Sequence, residues 1–268
     1  MKNSIQRRLE GRIAMVVGGG ADGPARREGE LPIGIGRAIA TRLSHEGAIV
    51  AVTDLSRQRA LETTEILEGK GLAISADAEN PDDCRRAVEI VEAELGPPEI
   101  VVGSVGISGG MPLRAQTVED WDRSVAINSR AHWITAQSTL QVMLDRGSGV
   151  FVFVTSLAAL RSSGASLSYD MTKTALLGLT RHITARYANR GIRSNSVALG
   201  VFDSTMVRRA YGNSLDDHLG RDAMSPTGRQ GKPEEAAAAV AFLASDDASY
   251  VNGTVLIVDG GISAVMGF

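Results

Sequence analysis

Short unbroken apolar runs alternate along this chain with longer amphipathic stretches. The first run, residues 13–17, is followed by glycines and then by an amphipathic stretch at 35–46. The next, 49–53, stops at Asp54, and Ser56 is placed to cap a polar helix reaching about residue 70. A strand is expected at 72–75, then a helix opened by Pro81 and ending near residue 95, then a strand at 100–104. Thr117, with Asp120 three residues on, predicts the cap of one long helix over 118–146. Residues 150–155 are all β-branched or aromatic and give the strongest strand signal. A helix at 168–188, a strand at 193–199, an alanine-rich helix at 232–243 and a strand at 255–258 complete the series.

Strands that are apolar throughout are covered on both faces, and strands alternating with helices build a parallel sheet. The expected fold is therefore α/β, a single doubly wound domain over residues 1–268 with a central parallel sheet of about seven strands. In such sheets ligands sit beyond the carboxyl ends of the strands, so the residues just after each strand are the candidates for chemistry. Composition narrows the partners. Hydrophobic residues make up 43% of the chain, enough for a sizeable core, while a net charge of -3 argues against a nucleic-acid partner. The single cysteine, Cys84, excludes an intrachain disulfide and a cysteine-based metal cluster, so no metal is expected. No stretch approaches the ~20 apolar residues of a membrane helix, and residues 1–12 are polar with no signal-like apolar run. A cytoplasmic protein is expected.

Glycines mark one end of the sheet. Gly18, Gly19 and Gly20 follow the first strand, and Gly34-Ile35-Gly36 opens the first helix. Glycine there lets backbone N–H groups approach a pyrophosphate, whose charge suits the positive end of a helix. Asp54 ends the second strand, where a carboxylate can accept hydrogen bonds from the adenosine ribose hydroxyls and would repel a 2′-phosphate. NAD is therefore expected, with NADP less favoured. Asp77 follows the third strand, where it either meets the adenine edge or serves as a turn residue. Residues 20–33 are far longer than a tight phosphate turn needs. They are either a solvated surface excursion or a loop that folds Arg26 or Arg27 back onto the cofactor phosphates.

Tyr169 and Lys173 are four residues apart on a helix and share one face, where an ammonium would lower the phenol pKa toward neutrality. A phenol so tuned can exchange a proton with a substrate oxygen. Ser156 lies just after the strongest strand, on the same sheet edge, where its hydroxyl can hydrogen-bond the reacting oxygen. On these residues the sequence resembles the short-chain dehydrogenase/reductase family over essentially the whole chain. The resemblance implies a Rossmann-type fold and hydride transfer between nicotinamide and a secondary alcohol or ketone, with Tyr169 as general acid/base. It further implies that Lys173 lowers the tyrosine pKa and holds the nicotinamide ribose, that Ser156 orients substrate, and that Asn128 holds a water in a proton relay. It also places Gly19, Gly34, Ile35, Gly36, Asp54, Leu55, Asp77, Ala78, Val105, Gly200, Val201 and Thr205 against the cofactor, beside Tyr169 and Lys173.

The sequence departs from the family pattern in three places. Gly19 and Gly34 are separated by fourteen residues, where the family has three. The family's Asn-Asn-Ala-Gly is here Gly103-Ser104-Val105-Gly106, and its Pro-Gly after the sixth strand is Leu199-Gly200. Residues 202–229 occupy the substrate-lid position and carry Arg208, Arg209, Asp216, Asp217, His218 and Arg221, which suit either a polar substrate or solvated helix faces. Met111, Leu113, Leu160 and Tyr211 are expected to line an apolar part of the pocket. The long helix at 118–146, the helix of Tyr169 and the apolar 255–268 segment are the expected subunit contacts, and the resemblance implies a homotetramer. The rival readings are a lyase on the same scaffold and a non-catalytic nucleotide-binding partner protein; Lys173, Asp54 and the intact Asn128, Ser156, Tyr169 and Lys173 set argue against them.

Overall fold

Runs rich in valine and isoleucine form the strands of the computed structural model, which describes residues 7–109, 111–162 and 164–265. The first six residues of the polar N-terminal stretch and the last three of the 255–268 segment lie outside the described residues. The strands are β1 (Ile13–Val17), β2 (Ile49–Asp54), β3 (Gly71–Ser75), β4 (Ile100–Gly103), β5 (Gly149–Ser156), β6 (Ile192–Leu199) and β7 (Val255–Val258). They form one seven-stranded parallel sheet in the order β3-β2-β1-β4-β5-β6-β7. The order reverses between β1 and β4, which opens a crevice at their carboxyl ends.

Alternate strand residues face opposite layers. Val16, Val50, Val52, Val152 and Val197 pack under α1 (Ile35–His45), α2 (Arg57–Thr64) and α9 (Pro233–Ala244). On the other face, Met15 and Ala51 meet α3 (Pro81–Glu94), while Phe151 and Phe153 meet α5 (Ala131–Arg146) and α6 (Leu167–Tyr187). The two phenylalanines are stacked, with ring centres 6.2 Å apart, and are fully buried. Each such side chain contributes roughly 1.5–3 kcal/mol of burial. The Ser56 and Thr117 caps fall where the sequence places them, and Asn80 adds a third. Ser56 accepts from Arg59 N–H, Asn80 accepts from Asp82 and Asp83 N–H ahead of Pro81, and Thr117 accepts from Asp120 N–H. Cys84 is buried on α3.

Two helices differ from expectation. The polar helix does not reach residue 70; α2 ends at Thr64, and the turns that follow seat Leu67 against the core and let Glu68 O accept from Ser44 Oγ at 2.7 Å. The long helix is not continuous. It consists of α4 (Val118–Val125), a π turn (Ala126–Arg130) and α5, with Ala131 N–H donating to Ala126 O. One extra residue in a turn shifts the helix faces before and after it by roughly 100°. That shift carries Asn128 inward, where it is fully buried, so it is not the surface helix polar its residue type suggests.

Residues 20–33 contain no helix or strand. The loop is tied down at both ends rather than standing free in solvent. Pro24 O accepts from Arg208 Nη1 at 3.3 Å, Asp22 pairs with Arg209, and Ile33 O accepts from Thr205 N–H at 3.4 Å. These three partners lie in residues 202–229, which form α7 (Thr205–Tyr211) and α8 (Leu215–Asp222), while Arg37 of α1 donates to Pro32 O at 2.6 Å.

Candidate active site

The carboxyl ends of β1, β5 and β6 enclose a cavity of about 220 Å³. Gly18, Gly20, Gly34, Ile35 and Gly36 line it on the nucleotide side. A Cβ on Gly36 would sit 1.9 Å from Gly18 O, and one on Gly18, whose φ is 80°, would sit 2.5 Å from Val105 Cα. Only backbone fits there. Gly34 is the N-cap of α1 and provides no side-chain cap, so no capping side chain occupies the first-turn N–H groups. This is a cradle of the kind a pyrophosphate fills. Gly19 itself does not line the cavity; it is buried behind it, with its N–H donating to Thr53 O at 2.9 Å.

Asp54, Leu55, Asp77, Ala78 and Val105 line an adjoining cavity of about 320 Å³. Asp54 Oδ1 accepts from Ser56 N–H at 2.9 Å and from Arg59 Nε at 2.8 Å. Arg59 also lines this cavity and was absent from the sequence reading, although its place three residues after the Ser56 cap turns it back toward the end of β2. Asp77 Oδ1 accepts from Glu79 N–H at 2.8 Å, so it makes a turn and lines the cavity at once. Gly200 and Thr205 line the first cavity, whereas Val201 does not; Val201 O instead accepts from Gly231 N–H at 2.9 Å.

Arg26 and Arg27 do not reach the glycine cradle. Arg26 Nε is 3.6 Å from Asp203 and Arg27 Nη1 is 3.7 Å from Glu30, beside a separate depression shared with Arg208 and Lys232. The carboxylates of the lid and of the loop itself capture these guanidinium groups first. Met111, Leu113, Leu160 and Tyr211 are exposed and do not line the main cavity; Phe202, Met206 and Val207 supply its apolar wall.

Ser156, Tyr169 and Lys173 all line the first cavity. Ser156 ends β5, its Oγ accepts from Ala158 N–H at 3.2 Å, and it lines the cavity together with the Tyr169 phenol. Burial pushes the phenol above its usual 10, the Ser156 hydrogen bond opposes that shift, and Tyr211 and Asp170 add to it. Lys173 is buried, with Nζ 5.8 Å from the Tyr169 ring centre and donating to Val154 O at 3.2 Å. Asn128 does not line the cavity. Its Oδ1 accepts from Ile107 N–H at 2.7 Å, and its Nδ2 donates to Ile107 O and Thr172 Oγ1. His132, also unforeseen, contacts Val105 O through Nε2 at 3.0 Å. Burial and the nearby Lys173 push it down to about 3, so at neutral pH its Nε2 carries the proton that Val105 O accepts.

Burial lowers Lys173 from 10.5 to about 8. Because the folded chain holds this proton less tightly than the unfolded one, stability rises as pH increases from about 8 toward 10.5. The rise amounts to roughly 3 kcal/mol at most. Thermal melts across that window are expected to show the gain in the ligand-free protein and its loss in Lys173→Met.

A doubly wound parallel sheet with a glycine cradle beside a Ser, Tyr and Lys group defines a nucleotide-binding enzyme class. The family model described as enoyl-(acyl carrier protein) reductase matches residues 32–263, starting just where the inserted loop ends. The chain is 33% identical over 267 residues to (3R)-3-hydroxyacyl-CoA dehydrogenase of Canis lupus familiaris, covering 95% of this chain and 97% of that protein. It is also 33% identical over 270 residues to levodione reductase of Leifsonia aquatica, covering 96% of each. A solved structure assigned to the short-chain dehydrogenases/reductases, from Burkholderia xenovorans, superposes with a TM-score of 0.88 at 30% identity, over 97% of this chain and 99% of that one. The chain belongs to the short-chain dehydrogenase/reductase family and is an oxidoreductase.

Proposed function

We propose that this protein interconverts a secondary alcohol and a ketone with NAD(H) as the hydride partner and Tyr169 as the general acid/base. The observation that carries the reading is the shared cavity, in which Ser156, Tyr169 and Lys173 stand with the Gly18, Gly20 and Gly36 cradle. When bound, the nicotinamide gives or takes the hydride. In carbonyl reduction the Tyr169 hydroxyl delivers a proton to the substrate oxygen, and in oxidation the same atom removes it. Ser156 Oγ, in the same cavity as the phenol, hydrogen-bonds that oxygen and fixes its approach. Lys173 supplies positive charge next to the ring and a donor toward the nicotinamide ribose. Asn128, held in the π turn, braces the β4 exit loop against α6 through Ile107 and Thr172, and takes the relay-water position that the family resemblance implies.

Asp54 supports NAD(H) over NADP(H), and residues 202–229 act as the lid over the substrate. Phe202, Met206 and Val207 favour a substrate with an apolar flank. Exposed Val118, Trp133 and Met171 on α4, α5 and α6 support assembly through those helices into a homotetramer. The reading is tested with a panel of secondary alcohols and ketones, following the absorbance of the reduced nicotinamide. Turnover of at least one member with NAD(H) is expected. A full panel without turnover by a folded protein that binds the dinucleotide favours the non-catalytic reading.

A further inference from the structure

The inserted loop brings a second carboxylate to the ribose end of the nucleotide site. Asp22 lines both cavities. Its Oδ1 lies 3.1 Å from Arg59 Nη1, and Arg59 Nε lies 2.8 Å from Asp54 Oδ1. The guanidinium beside Asp54 is therefore shared between the end of β2 and the insertion. Asp22 also pairs with Arg209, whose side chain is 65% exposed against 26% for Arg59, so water screens that contact more. The charged residues lining the second cavity are Asp22, Asp54, Asp77 and Glu79 with Arg59 and Arg123, and Arg123 is 3.4 Å from Glu79.

An arginine next to the ribose would be the natural partner of a 2′-phosphate, because its planar fork matches phosphate oxygens in pairs. An Asp54–Arg59 pair alone is neutral and would leave Arg59 able to turn toward such a phosphate. A second carboxylate adds negative charge beside the ribose, offset in part by the more exposed Arg209, and engages the fork a second time. We infer that Asp22 is a specificity-determining residue: with Asp54 it sequesters Arg59 and so selects NAD(H) against NADP(H). The inference rests on the dinucleotide reading given above. It assigns the insertion a task at the cofactor that Arg26 and Arg27, held by Asp203 and Glu30, do not perform.

The test is calorimetric titration of NADH and NADPH into the full chain and three variants. Asp22 is 57% exposed at its side chain, so Asp22→Asn leaves the fold in place. That variant is expected to bind NADPH roughly five- to tenfold more tightly than the wild type, with NADH changed by less than about twofold, as removal of one screened charge near a phosphate predicts. Asp22→Glu should keep the wild-type preference. The double variant Asp22→Asn/Arg59→Gln should lose the NADPH gain, because the freed arginine is what produces it. An unchanged NADPH-to-NADH ratio in Asp22→Asn, a gain that survives in the double variant, or a wild type that already prefers NADPH overturns the inference while leaving the dinucleotide reading intact. A wild type that binds neither dinucleotide overturns both.

Discussion

Tyr169→Phe is expected to lower kcat by about 10²- to 10⁴-fold, the range that loss of a positioned proton donor costs. The substitution removes one oxygen and keeps the ring, so packing against the cavity wall survives. Ser156 Oγ retains its hydrogen bond from Ala158 N–H and is not left unpaired. The melting temperature and the affinity for NADH should therefore stay close to wild type, and this separates a chemical role from a structural one. Turnover equal to wild type would remove Tyr169 from the mechanism. Because burial raises the phenol, it is protonated at neutral pH in the ligand-free chain and poised as an acid. Carbonyl reduction should accordingly hold its rate through neutral pH, while alcohol oxidation should climb as pH rises toward the phenol's ionisation. Ser156→Ala should shift the climb to higher pH, since it removes the hydrogen bond that opposes burial.

The centre of the sheet was legible because β1, β2, β4, β5 and β6 are buried on both faces, so nearly every residue in them reports the same environment. Residues 150–155 are the clearest case, lying within the strand Gly149–Ser156 between β4 and β6. The glycine set was legible for a steric reason, as a strand-to-helix junction with no room for Cβ leaves glycine as the residue that fits. Periodicity could not reveal the π turn at Ala126–Arg130, because a single extra residue leaves apolar positions on both sides of it and only the hydrogen bond from Ala131 to Ala126 marks the change. The seating of the insertion was hidden for a different reason. Asp22 and Arg209 are 187 positions apart, and the pairing of exposed charges over such a span leaves no local pattern. The sequence did place Lys173 on the face of Tyr169, but its effect on the phenol depends on depth. Burial moves both groups, downward for the ammonium and upward for the phenol, and a spacing of four residues says nothing about depth.

Gly36→Ala is the substitution expected to damage the nucleotide site most. A methyl group at this position would lie 1.9 Å from Gly18 O and within 3.0 Å of Gly19 Cα. Both neighbours are backbone, so the clash cannot be relieved by a side-chain rotation; α1 or the β1 exit turn must move. Overpacking of this kind costs roughly 1–3 kcal/mol and more where backbone must shift. For a chain of this size the cost corresponds to a fall of roughly 3–10 °C in melting temperature. The effect on binding should exceed the effect on stability. The cradle depends on backbone N–H groups held at one distance from the phosphates, so a displacement of α1 affects each of these hydrogen bonds together. NADH affinity is expected to drop by at least about tenfold, which is 1.4 kcal/mol. Gly178→Ala, on α6 with no heavy atom within 4 Å of the added methyl, is the matched control: it should leave NADH affinity unchanged and, as alanine favours the helix, not lower the melting temperature. Wild-type affinity for NADH in a folded Gly36→Ala protein would place the dinucleotide somewhere other than the turn between β1 and α1.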